Sequence, residues 1–107
     1  MPIPKIPKST RINGERWRVL MRRQVVYEGE QCEGVCHPDR HVIEVSLGSN
    51  NEYHIMDTYY HEVLHAIVAG SGIELSDDQE HAIIVNAARW LAANCDIREK
   101  PRKPKKS

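Results

Sequence analysis

A chain of 107 residues carrying 15 Lys/Arg and 15 Asp/Glu is formally neutral at pH 7. That length excludes a second independent core, and the charge balance excludes a protein whose whole surface binds polyanions. Three cysteines, an odd count, with no signal-peptide pattern and no apolar run long enough for a bilayer, set the expectation of a reduced, cytoplasmic protein without a membrane anchor.

The chain opens on "MPIPKIPKST", where Pro2, Pro4 and Pro7 predict a flexible arm over residues 1–10. A single domain is predicted over residues 11–97. In "RINGERWRVLM", Asn13-Gly14 is the signature of a type I′ hairpin turn. Trp17, Val19 and Met21 then alternate with charged residues as a half-buried strand does. "QVVY" continues or pairs with that strand. "EGEQCEGVCHPDR", with Gly29, Gly34 and Pro38, reads as turns, and "HVIEVSL" reads as a second strand through Val42, Ile43, Val45 and Leu47.

"GSNNEYH" reads as a loop. A helix capped by Asp57 or Thr58 is predicted to follow and to stop at Gly70, with Val63, Leu64, Ile67 and Val68 on its core face. Ser76-Asp77-Asp78-Gln79 is a capping box, so a second helix starts there and runs to about Asn94. Trp17 and Trp90 are expected to anchor the core. Strands first and two helices after give an α+β fold. Residues 98–107 form a basic tail, in which Arg98, Lys100, Arg102, Lys103, Lys105 and Lys106 surround two prolines. Such a tail is solvated, and its functional option is weak nucleic-acid contact through Arg98–Lys106.

The chemistry concentrates in the first helix. His61-Glu62-Val63-Leu64-His65 is H-E-x-x-H. Positions four apart on an α-helix differ by about 40° around the axis, so both imidazoles leave from one side and can reach one zinc ion. Glu62 lies about 100° away from His61, placed to act as a general base on a zinc-bound water. An i,i+4 histidine pair also occurs on ordinary surfaces, so a third donor is the stronger criterion. Glu80 meets it. On the second helix it falls near the middle of the stripe formed by Ile83, Ile84, Ala87, Leu91 and Cys95, where a bare carboxylate is costly to bury. His81, at the border of that stripe, is the rival. Cys32-x-x-x-Cys36 with His37 and His41 hints at another metal site, but the spacing is loose and the simpler reading is two ordinary thiols.

"HEVLHAI" followed by "GI.LSDDQEH.IIV" resembles the small H-E-x-x-H metallopeptidase-like proteins of phages and bacteria, in the gluzincin-like branch of the zincin superfamily. The resemblance spans roughly Ile12 to Asn94. It implies a minimal zincin-like fold, one Zn²⁺ held by His61, His65 and Glu80, and Glu62 as catalytic base. It also implies peptide or protein substrates in a bacterial host cytoplasm, and a sheet edge strand lining the cleft, for which "HVIEVSL" is the best match. The alternative reading is a non-catalytic zinc-stabilised module that docks on nucleic acid or a protein through its basic tail.

Overall fold

A computed structural model describes residues 6–49 and 51–95. The basic tail predicted over residues 98–107, and the first half of the proline-rich arm, lie outside the described residues. The elements in chain order are β1 (Ser9–Ile12), β2 (Glu15–Arg22), β3 (Val25–Tyr27), β4 (Glu30–Cys32), β5 (Gly34–His37), β6 (Val42–Ser46), α1 (Glu52–Ser71) and α2 (Asp77–Asn94). The fold is α+β, a small mixed sheet followed by two helices. No helix among the described residues is long and apolar enough to cross a membrane.

The sheet has the order β1-β2-β6-β5, and β3-β4 form a separate two-stranded ribbon. Asn13 (φ 51°) and Gly14 (φ 81°) both adopt left-handed backbone, and Ile12 pairs with Glu15 across them. This is the two-residue turn that Asn-Gly favours. β2 and β6 pair in parallel, whereas β5 returns antiparallel to β6. Period-two alternation sends Ile43 and Val45 of β6 and Trp17 and Val19 of β2 into the core, which they share with Ile55, Met56, Tyr59, Tyr60 and Ala66 of α1. At about 25 cal/mol per Å² of apolar area removed from water, this cluster is the main stabilising contribution.

Several expectations shift in the structure. Residues 6–10, predicted as part of the flexible arm, belong to the fold: Ser9 and Thr10 lie in β1 and Ile6 packs against the core. The "turn-like" stretch holds both β4 and β5. "HVIEVSL" is an inner strand, and the sheet edges are β1 and β5. α1 begins earlier than Asp57, because the Asn51 side chain accepts from the His54 N–H and caps it, and it ends at Gly72 (φ 76°) instead of Gly70. Its buried face runs through Ile55, Met56, Tyr59, Tyr60 and Ala66, while Ile67 is exposed.

α2 starts at the predicted capping box, with Ser76 Oγ accepting from the Gln79 N–H and Gln79 Oε1 accepting from the Ser76 N–H. Its buried line is Ile84 and Ala88, so Ile83, Cys95 and Trp90 turn outward, the last 62% exposed instead of anchoring the core. Tyr53 Oη donates to the Arg89 carbonyl at one end of the helix pair, and His65 meets Glu80 at the other. The helices are therefore antiparallel, folded back at Gly72. α1 lies over one face of the sheet against β5, β6 and β1, with α2 on its far side.

Candidate functional site

Close approach of β5 to α1 defines the site. A Cβ added at Gly34 would lie 2.7 Å from Thr58 Cγ2, 3.0 Å from Glu62 Cγ and 3.1 Å from the Glu44 carbonyl oxygen. Only a residue without a side chain allows this strand to run so near the helix. Gly34 and Cys36 share the face of β5 toward α1, and Val35 and His37 the other. Glu62, from the first turn of H-E-x-x-H, is consequently enclosed between helix and strand at 8% exposure. Burial pushes its carboxyl up to about 7.

His61 and His65 project from the same side of α1, as their spacing requires. Their Nε2 atoms stand 3.1 Å apart. Two nitrogens bound to one tetrahedral ion at about 2.0–2.1 Å would be about 3.3 Å apart, so the pair converges on nearly the separation of joint ligands. His65 Nδ1 lies 2.7 Å from Glu80 Oε2. The carboxylate accepts the Nδ1 proton, which fixes the tautomer and leaves the Nε2 lone pair facing His61. His61 itself is held toward its neutral form, first by burial and then by His65, against the opposing pull of Asp57. Both rings are thus suited to donate lone pairs.

The structure brings Glu80 to the site, though to the Nδ1 side of His65 and not beside the converging Nε2 atoms. His81 stands near His61, their ring centroids 6.1 Å apart. Among the described residues, no group of three or more His, Cys, Asp or Glu is gathered as a finished metal cage. Two imidazoles and a carboxylate in one contact chain nevertheless fit zinc in donor type and in the spacing of the imidazole pair.

Cys36, read from the sequence as an ordinary thiol, also borders the site. Burial pushes its thiol up to about 12, with the charges of Glu62 and Glu80 adding to the effect. The local Cys32-x-x-x-Cys36 pattern does not place it here, because its position follows from the register Cys36↔Ile43 and the close packing at Gly34. The other members of the cysteine–histidine cluster are drawn elsewhere. Cys32 Sγ donates to the Glu30 carbonyl, His37 pairs with Glu44, and His41 pairs with Glu15 while stacking on Trp17.

No family model matches this chain, and neither a curated protein nor a solved structure matches it significantly.

Proposed function

We propose that this chain is a zinc-dependent peptidase of minimal H-E-x-x-H type, in which His61 and His65 would bind the ion and Glu80, expected from the sequence as a third ligand, would hold His65 in place through Nδ1. The observation that carries the reading is the 3.1 Å convergence of the His61 and His65 Nε2 atoms beside a buried Glu62. When bound, zinc supplies Lewis acidity, lowering the pKa of a water and polarising a carbonyl. The Glu62 carboxylate accepts the proton of the attacking water and returns it to the nitrogen of the leaving amine. Glu80 holds His65 in the tautomer that presents Nε2. β5 is an edge of its sheet and passes directly against Glu62, so an extended peptide that adds to β5 by main-chain hydrogen bonds brings its carbonyls to the base.

The test is cleavage of a mixed peptide pool by the zinc-loaded chain, compared with Glu62→Gln and with chelator present. Glu62→Gln is expected to retain zinc and to lose about 10²–10⁴-fold in rate, the usual contribution of a general base. His65→Ala is expected to lose both zinc and cleavage. A Glu62→Gln protein as active as the parent would overturn the proposal.

A further inference from the structure

A cavity of about 390 Å³ opens beside the site, lined by Gln31, Cys32, Glu33, Ser46, Gly48 and Ser49. That volume is in the range of about 300–1,000 Å³ typical of small-ligand sites. It forms where the chain enters β5 and leaves β6, with the Ser46 N–H donating to the Glu33 carbonyl between them. Glu33 directly precedes Gly34, which lies against Glu62, and the Glu33 charge is felt at His61. The cavity is therefore one residue along the β5 edge from the proposed base.

Among the described residues the lining has one charged side chain, and it is negative. Glu33 is 71% exposed, and its Oε1 accepts from His54 Nε2 at 2.8 Å. An ionised carboxylate accepts at two oxygens, so the His54 contact leaves it able to receive a second donor. Around it stand only uncharged groups: the Gln31 amide, the Ser46 and Ser49 hydroxyls, and the Cys32 thiol. Arg23 lends its backbone carbonyl, 3.5 Å from Ser46 Oγ, and its side chain is not part of the lining. A single carboxylate with acceptor capacity left over, set among neutral groups, gives the cavity a negative charge that suits a cationic ligand.

Resting on the peptidase reading, we propose that this cavity is the subsite for a lysine or arginine side chain of the peptide substrate. A peptide laid along β5 places alternate side chains on one face of the strand, and the one that passes Glu33 enters the cavity. The subsite then selects basic peptides and discriminates against acidic ones by repulsion from Glu33.

Two measurements on the zinc-loaded full chain test this. In the first, peptides identical except for Lys or Glu at one scanned position are compared for kcat/KM. The Lys peptide is expected to be preferred by about threefold to fivefold at one position, the scale of a partly exposed ion pair. Glu33→Lys is expected to invert that ratio, which is internal to each protein and so insensitive to how much of the variant folds. In the second, the Lys peptide is titrated into Glu62→Gln, with amide shifts at Gly48 and Ser49 as readout, and into the Glu62→Gln/Glu33→Lys double variant, where those shifts are expected to vanish. Cleavage without a charge preference, or with one that Glu33→Lys leaves intact, overturns the subsite and leaves the peptidase reading standing. Binding at Gly48 and Ser49 without any cleavage by the parent supports the cavity as a basic-peptide site and overturns the peptidase reading. Neither cleavage nor binding overturns both.

Discussion

His65 Nδ1 and Glu80 Oε2 lie 2.7 Å apart although fifteen positions and the turn at Gly72 separate them in the chain. That contact joins the two helices at the one place where the proposed zinc site needs them joined. Glu80→Gln is expected to weaken zinc affinity by about 10–100-fold, the usual cost of removing a carboxylate that holds a ligating histidine. His81→Ala is expected to change it much less. Competition with a chromophoric chelator measures both, and equal losses in the two variants would contradict the assignment.

Gly34→Val should be far more damaging than its place on a sheet edge suggests. The added side chain meets Thr58 Cγ2 and Glu62 Cγ at once, and the Glu44 carbonyl blocks a sideways shift. Overpacking of this kind costs about 1–3 kcal/mol. Because the strain falls on Glu62, cleavage should drop more steeply than folded fraction. Urea titration and kcat/KM measured on the same preparation separate the two effects.

Ile84 is the largest fully buried side chain of α2, at 1% exposure. Ile84→Ala is expected to cost about 2–5 kcal/mol through lost transfer energy and the cavity left behind. Trp90→Ala, on the same helix but 62% exposed, should cost much less. Thermal melts of the two variants rank them, and a larger loss at Trp90 would mean that its ring is covered in solution.

Stability should also report the cluster on the other sheet face. The Glu44 carboxyl is held below its ordinary value of 4.5, chiefly by the hydrogen bond with His37, then by Arg22, with burial opposing them. A depressed carboxylate pKa stabilises the fold at pH values above the unfolded-state pKa, and that stability is lost as pH falls through the folded value. Parent and Glu44→Gln should therefore differ in urea midpoint well above pH 4.5 and converge well below it. A difference that stays constant across that range would remove Glu44 as the source.

Features that depend on short spacing were legible in the sequence. Asn13-Gly14, the Ser76–Gln79 box and the H-E-x-x-H pair each specify geometry within a turn or two, and each folds as its chemistry directs. Features that depend on register between distant segments were not. β5 was hidden among Gly34, Pro38 and their neighbours because a glycine reads as a turn until the helix it approaches is known. Trp90 differs for a related reason. The helical periodicity of α2 alone centres an apolar stripe near Glu80, Ala87 and Leu91, whereas packing against α1 centres the buried line on Ile84 and Ala88 and turns Ile83 and Trp90 outward. That Glu80 meets Nδ1 of His65 depends on where the two helices cross, which no spacing within either one encodes.

α2 has only Ile84 and Ala88 fully buried, yet it supplies the carboxylate that steadies His65. A helix with so small a share of the core is a natural unit of sub-global opening, able to detach while sheet and α1 stay folded. Each detachment would take Glu80 away and free His65 to change tautomer. The lifetime of the assembled site is then the residence time of α2 on α1, and a ligand that engages both helices would lengthen it by holding them together.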